Sequence, residues 1–510
     1  MQDTCADSPC HCIIYSMNIR LIGHNYKYAA EQMLLTLFPQ ERPVYAPPAA
    51  EDDLAEISLR QGSRYATAVC RLRRDEKTAF GQARFRLSPH RPETDTVRLE
   101  QRIVKLAFYR AALAWGVEKP VWGSLTGVRP AKFLAGLMAR DGLTPAQARR
   151  SLVRDHGVDP DRAELCARAA EAARKVTASL SPEDVCLYVG IPYCPTRCAY
   201  CSFVSVDAPK MLKTIPAYLD ALEKEMAATA KAIKDSGRRV IAVYVGGGTP
   251  TTLSAAELDR LLGKLREAFD LSACREFTVE AGRPDTVTPE KLAVLAAHGV
   301  DRVSVNPQTM SDAVLAAIGR HHTVRQVYDA VEMVRRQGGF ALNMDLIAGL
   351  PGDTPESFAA TVEAVLALGP ENITVHTLAL KKGSRFLTEG ARLPDGAAAG
   401  AMVSSAREKL TAAGYEPYYL YRQKFMSGSF ENVGWTRPGF ENIYNICIME
   451  ELCPILAAGA GGSTKLTAPG GVVKRIMDHK YPKEYMEHID DICAEKESIT
   501  AFFRSTGKGE

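Results

Sequence analysis

At 510 residues the chain is longer than a single hydrophobic core usually supports, and about 150 residues per domain predicts roughly two to four domains. Its composition, 46% hydrophobic and 24% charged, is that of a folded globular chain, and a net charge of +3 without a long basic block gives no reason to expect nucleic acid. No apolar run of about 18 residues predicts a membrane span, and the first residues lack a basic and apolar leader, so the expectation is a cytoplasmic protein whose 13 cysteines stay reduced.

In chain order, "MNIRLIGHNY" from Met17 reads as a strand, "KYAAEQMLLTLF" as a helix and "SRYATAVCRLR" as an alternating strand, with helices predominating after about Arg98. "SLSPEDV" supplies turn and cap residues. From Cys186 six short β-rich runs, "CLYVGI", "VIAVYVGG", "REFTVEA", "DRVSVN", "ALNMDLIAG" and "NITVHTLAL", alternate with helical patterns such as Leu258 to Phe269 and Val324 to Gln337. This alternation predicts an α/β fold with a parallel sheet, a partial (β/α)6 barrel with its active groups at the C-terminal strand ends. The expected organisation is a start-site extension or disordered tail at 1–16, an N-terminal α/β accessory region at 17–179, the barrel at 180–396 and a C-terminal α+β cap at 397–510. No internal repeat or low-complexity tract interrupts it.

"CLYVGIPYCPTRCAYCSF" holds Cys194, Cys198 and Cys201 in the spacing C-x3-C-x2-C. That spacing suits neither a disulfide framework nor an ordinary zinc site, whereas three thiolates on a four-iron cluster leave one iron open. Core thiols, or a zinc site short of its fourth ligand, are the alternatives. One unit later, "GGGTPT" (Gly246, Gly247, Gly248, Thr249, Pro250, Thr251) allows close backbone approach to a ligand, or is simply a tight strand-to-helix turn. Glu280, Gln308, Arg320 and Asp345 follow near strand ends. Each alone could be a cap or a surface group, but together they suit a bound zwitterion with ribose hydroxyls.

The cysteine loop, with Tyr200 at its aromatic position, resembles the signature of the radical S-adenosylmethionine (SAM) superfamily. The resemblance implies one 4Fe-4S cluster whose open iron is chelated by SAM, reductive cleavage to a 5′-deoxyadenosyl radical, Tyr200 against the adenine, and the glycine segment near the methionine amino group. The order of the later residues resembles the oxygen-independent coproporphyrinogen III oxidase branch. It implies Glu280 on the amino group, Arg320 on the carboxylate, Gln308 and Asp345 on the ribose, and Tyr188 beside the cofactor. "GHNYKY", "WGSLTGVRP", "PYYLYRQK" and "NVGWTRPG" resemble the Z-type coproporphyrinogen dehydrogenase subgroup over nearly the whole chain. The implied activity is anaerobic oxidative decarboxylation of coproporphyrinogen III to protoporphyrinogen IX, a step in haem biosynthesis. Its implied partners are the tetrapyrrole and an electron donor such as flavodoxin or ferredoxin.

Two positions depart from the branch's decarboxylases. Phe203 stands where they carry a further cysteine, and Gly190 where they carry a histidine. Phe203 is shared with a related haem-chaperone branch, whose His-Asn-x-x-Tyr-Trp motif is unmatched in "FENIYNICIMEE", where Glu441 precedes Asn442. A haem-binding chaperone, and a radical methyltransferase or haem-degrading relative acting on another tetrapyrrole, are the alternative readings.

Cys5, Cys10 and Cys12 are assigned to the extension. Cys447 and Cys453, six apart in an apolar helical segment, are read as packing thiols in preference to auxiliary cluster ligands. His321 and His322 are read as turn or supporting residues for Arg320. Arg422 and Lys424 of "YLYRQK", and Arg385 of "KKGSRF", are candidate propionate partners.

Overall fold

The computed structural model describes residues 15–45, 53–88, 92–201, 206–207, 211–379, 384–388, 394–423, 430–468 and 472–506. Cys5, Cys10, Cys12, Phe203, Lys424 and the "KKG" before Ser384 lie outside the described residues. The chain divides into two compact units, residues 1–127 with 143–164, and residues 128–142 with 165–510.

In the first unit, β1 (Tyr15–Ile22) is followed by α1 (Lys27–Leu37), β2 (Glu41–Val44), β3 (Leu54–Gln61), β4 (Tyr65–Arg74), β5 (Lys77–Arg86) and α2 (Glu93–Trp115). The strands form one sheet in the order β2-β1-β3-β4-β5. Alternate residues of β3 and β4 (Ala55, Ile57, Leu59; Ala66, Ala68, Cys70, Leu72) are buried with Met33 and Leu34 of α1 and Val104 and Phe108 of α2. That is the period-two pattern of a sheet with one covered face. Since β1 begins at Tyr15, a boundary at residue 17 would cut a strand.

Helix α3 (Pro130–Asp141) belongs to the second unit, where Arg129 and Lys132 pair with Glu451. Helix α4 (Pro145–His156) belongs to the first, and α5 (Pro160–Ser179) runs from one into the other. The expected 17–179 region therefore does not coincide with a unit, because long-range pairing rather than a composition shift sets the division.

The second unit carries the parallel strands. These are β6 (Asp184–Ile191), then, beyond the short pair β7 (Tyr193–Cys194) and β8 (Val206–Asp207) and helix α6 (Ile215–Asp235), β9 (Arg239–Gly247) and α7 (Ala255–Ala268). β10 (Glu276–Glu280), α8 (Pro289–Ala297), β11 (Arg302–Ser304), α9 (Asp312–Ala317), α10 (Val324–Gln337), β12 (Ala341–Ala348), α11 (Pro355–Leu368) and β13 (Asn372–Thr377) follow. β6, β9, β10, β11, β12 and β13 lie side by side and parallel, the six strands read from sequence, and the fold is the α/β partial barrel expected. Ser254, Thr288, Ser311, Thr323 and Thr354 each cap a helix with a side-chain oxygen, so the chain turns sharply after the strands.

Residues 397–510 do not form a separate cap. After α12 (Arg385–Thr388) and α13 (Gly396–Ala412), β14 (Glu416–Arg422) and β15 (Glu431–Thr436) extend the sheet antiparallel beyond β13. After α14 (Ile443–Glu450), β16 (Ile455–Ala458) pairs with β6, and β17 (Ser463–Ala468) and β18 (Val472–Met477) follow. Both barrel edges thereby gain backbone partners. Among the described residues no helix is long and apolar enough to cross a membrane.

The C-terminal helices α15 (Pro482–Glu487), α16 (Ile489–Glu495) and α17 (Glu497–Thr506) are tied in by Lys496. Its buried Nζ reaches Glu225 Oε1 (2.5 Å), Asp478 Oδ1 (3.1 Å) and the Ala457 carbonyl (3.1 Å). Lys496→Met leaves two buried carboxyl groups without their cation and is expected to cost about 3 kcal/mol. A denaturant midpoint equal to that of the unsubstituted protein would contradict this.

Candidate functional site

Register decides which side chains meet inside the barrel. Tyr188 lies beside Tyr244 and Gly190 beside Gly246; Glu280 lies beside Ser304, Ser304 beside Asn343, and Asp345 beside Thr374. Because strand side chains alternate, this polar and aromatic row occupies one face, while Val189, Val245, Val279, Val303, Leu342, Leu346 and Val375 are buried on the other.

The cysteine loop leaves the end of β6 and meets the glycine turn leaving β9. Gly248 N–H donates to the Ile191 carbonyl and Thr249 N–H to the Tyr193 carbonyl, both at 2.7 Å. A Cβ on Gly248 would stand 2.5 Å from the Tyr193 carbonyl oxygen and 2.9 Å from Cys194 Sγ. One on Gly246 would stand 3.2 Å from the Glu280 carboxyl, and Gly247 has a φ of +115°. Only glycine satisfies these approaches. Thr249 Oγ1 is 3.6 Å from Cys194 Sγ, and Cys201 N–H donates to the Cys198 carbonyl at 3.2 Å.

On the opposite side of the loop, the Arg320 guanidinium donates to Tyr200 Oη (3.0 Å), the Gly282 and Asn306 carbonyls (2.9 and 2.7 Å) and His322 Nδ1 (3.4 Å). Four of its five N–H groups are thus engaged. Burial, with Arg320 and Arg283 adding to it, pushes the His322 imidazole down to about 3, so it accepts from Arg320 as a neutral ring. His321 is exposed, and His322 has the supporting position expected of it.

Gln308 sits at φ +69°, outside the usual range for a residue with a Cβ. Its N–H donates to the Asp345 carbonyl (2.9 Å) and its carbonyl accepts from Ile347 (3.0 Å), yet its side-chain Oε1 is buried without a hydrogen-bond partner. A conformation held in place around an orphaned acceptor is a mark of a binding position.

The two interior carboxyl groups are tuned apart. Burial pushes Glu280 up to about 7, against a hydrogen bond from Tyr244 that favours its ionised form. For Asp345 burial also pushes upward, but His376, Asn343 and Thr374 outweigh it and leave the group below its ordinary value. Asn343 Nδ2 donates to Asp345 at 2.9 Å, and His376 Nε2 stands 3.9 Å away.

Two contributors, Tyr244 and Tyr444, were not read from sequence. Tyr188 stacks with Tyr244 and Tyr444, at centroid distances of 6.4 and 6.3 Å, and those two stack on each other at 4.5 Å. Tyr244 had a visible signal, since Tyr-Val-Gly occurs at the end of both β6 and β9. Tyr444 had none. It is placed by Glu276, which accepts the N–H groups of Ile443 and Tyr444 at the start of α14, and by Asn442, whose amide donates to Thr278.

Of "YLYRQK", Tyr419 and Tyr421 join the interior row through Thr374 and His376, both at 3.3 Å. The Tyr419 ring lies over Gly434, where a Cβ would stand 1.9 Å from Cε1. Arg422 is buried beside Glu431, and burial pushes it down to about 10; the expectation of an open propionate partner there is corrected to a buried arginine facing a carboxylate. Arg385 is exposed on α12. Cys447 lies in α14, but Cys453 lies beyond that helix rather than within it.

Residues 188–365 match the family model of the Radical SAM superfamily. The solved structure of coproporphyrinogen III oxidase (HemN) from Escherichia coli, a radical SAM enzyme, has the same fold, with a TM-score of 0.50 and 24% identity over 66% of this chain and 78% of that one. This is a radical SAM protein, and the cofactors of that superfamily, a 4Fe-4S cluster and SAM, are its cofactors.

The chain is 33% identical over 491 residues, 94% of its length and 96% of the relative's, to the oxygen-independent coproporphyrinogen-III oxidase-like protein HemZ of Bacillus subtilis. It belongs to that oxidase-like family. It is also 30% identical over 302 residues, 59% of its length and 75% of the relative's, to the heme chaperone HemW of Haemophilus influenzae.

Glu280 also sets a pH dependence. Its pKa in the folded chain, about 7, exceeds the ordinary 4.5, so the stability it contributes is complete below about 4.5 and is lost as pH rises through 7. Tyr244→Phe removes the bond that favours the ionised carboxyl and should move the midpoint upward. Infrared titration against a Glu280→Gln reference reads it; a midpoint at or below the unsubstituted value would contradict the assignment.

Proposed function

We propose that the protein is an oxygen-independent coproporphyrinogen III dehydrogenase of haem biosynthesis, converting two propionate side chains to vinyl groups by oxidative decarboxylation to protoporphyrinogen IX. The observation that carries this reading is the extent of the HemZ relationship, which takes in both flanking regions as well as the barrel.

The residues present fit the cofactors. Cys194, Cys198 and Cys201 offer three thiolates to four irons, so one iron keeps a free coordination position. When bound, the cluster and SAM supply a 5′-deoxyadenosyl radical able to take hydrogen from a substrate propionate. Gly246, Gly247, Gly248 and Thr249 form the cradle for the methionine end, with the Glu280 carboxyl beside it for the ammonium group. A carboxyl near 7 ionises readily when a cation arrives.

Arg320 keeps one N–H for the methionine carboxylate, while its other bonds hold Tyr200 in position for the adenine. The orphaned Gln308 oxygen and the ionised Asp345 accept from ribose hydroxyls. Tyr188 lies beside the cofactor, and the wall of Tyr419, Tyr421 and His376 is suited to a flat tetrapyrrole. A flavodoxin or ferredoxin would supply the electron.

The HemW relationship favours a second reading, a haem-binding chaperone on the same barrel. Anaerobic incubation of the reconstituted protein with coproporphyrinogen III, SAM and reductant, followed by mass spectrometry, separates the two. Two successive carbon dioxide losses with matching 5′-deoxyadenosine are expected; tight haem retention without a decarboxylated product would overturn the dehydrogenase reading. Gln308→Ala, which removes one hydrogen bond worth about 1 kcal/mol, should weaken SAM binding about fivefold. Unchanged affinity by calorimetry would remove Gln308 from the ribose site.

A further inference from the structure

Outside the cysteine loop, three more cysteines converge from segments far apart in sequence. Cys186 lies on β6, Cys447 on α14, and Cys453 in the turn that leads to β16. Their sulfurs all lie within 4.8 Å of one another, and Cys186 Sγ is 3.6 Å from Cys453 Sγ. All three are buried, at 0, 0 and 4% exposure, among Ile241, Ala242, Tyr444 and Ile455. Among the described residues this is the one group of three potential metal ligands drawn so close together, and no histidine or carboxylate joins it.

The backbone fixes the arrangement without help from the thiols. Cys186 N–H donates to the Pro454 carbonyl (3.0 Å), Ile455 is the register partner of Cys186, and Leu452 N–H donates back to the Cys447 carbonyl (3.1 Å). Three sulfurs sharing one ion through metal–sulfur bonds of about 2.3 Å stand about 4 Å apart. The observed spacing fits a single ion. A four-iron cluster fits poorly, because its thiolates sit on different irons and stand farther apart.

We propose that Cys186, Cys447 and Cys453 form a binding site for one thiophilic d10 cation, Zn2+ or Cu+, separate from the cysteine loop. An all-sulfur set selects soft ions: three thiolates alone complete a trigonal shell for Cu+, whereas Zn2+ would take a fourth ligand, such as a water, beside them. Binding exchanges the thiol protons for the ion, up to three released to solvent for each cation bound, with no change of oxidation state. The consequence reaches the interior row. Cys186 lies two residues before Tyr188 on one strand, and Cys447 lies three residues after Tyr444 on one helix, so the ion clips together the two elements that hold the tyrosine stack.

The test uses the full chain with its four-iron cluster reconstituted anaerobically, offered Zn2+ or Cu+ in separate arms and desalted before elemental analysis. One Zn or Cu per chain, with iron unchanged, is expected in at least one arm, and the arm that retains its metal names the ion. Cys447→Ser/Cys453→Ser should retain at least tenfold less. Cys5→Ser/Cys10→Ser/Cys12→Ser should retain the full amount, and its losing the ion would overturn the assignment. X-ray absorption of the unsubstituted protein should show a sulfur-only shell, a readout that does not depend on the variants folding. Metal retention no greater than in the double variant, or a shell of nitrogen and oxygen, would reduce the three cysteines to packing thiols.

Discussion

The site depends on one constraint, the parallel pairing of β6 with β9, which brings two turns together at the strand ends. Once Gly190 is set beside Gly246, the cysteine loop and the glycine turn must leave side by side. They are then locked by the Gly248 and Thr249 N–H groups on the Ile191 and Tyr193 carbonyls. The turn can approach the loop this closely only because Gly247 and Gly248 lack a Cβ. A one-residue slip of β6 against β9 would turn Tyr188 to the valine face, and the barrel would lose core and site together.

From that constraint the electrostatics follow. The interior collects carboxyl groups that water cannot fully solvate, and the barrel treats them differently. Burial pushes Glu280 up to about 7 despite the Tyr244 phenol and the Gly247 N–H, whereas an imidazole, an amide and a hydroxyl outweigh burial at Asp345 and hold it below its ordinary value. Arg320 is restrained by carbonyl oxygens from two successive strand-end loops, Gly282 and Asn306, so its position is set by the barrel rather than by a mobile side chain. Such a site is organised before any ligand arrives, the condition under which fixed donors and acceptors act most strongly.

Much of this was legible in sequence for local reasons. The six strands announced themselves as β-rich runs between amphipathic helices, and the cysteines and glycines are consecutive or nearly so. What sequence could not show is what distant segments contribute. Tyr444 enters the interior because Glu276, far earlier in the chain, receives the first turn of α14. Cys186 meets Cys447 and Cys453 because β16 returns to the edge of β6. Pairing of β15 with β13 at one edge and of β16 with β6 at the other places the segment after residue 397 in the same sheet as the barrel. Arg422, which alternation alone would leave free to meet an anion, is turned toward Glu431 by its pairing with β15.

A three-cysteine loop beside the glycine cradle is expected to leave one iron open to SAM. Electron paramagnetic resonance of the reduced cluster, recorded anaerobically with and without SAM, would read that open iron, with Cys198→Ala as the cluster-free control. The spectrum should change when SAM is added, and the control should show no cluster signal. A cluster signal that SAM leaves unaltered would contradict an open iron.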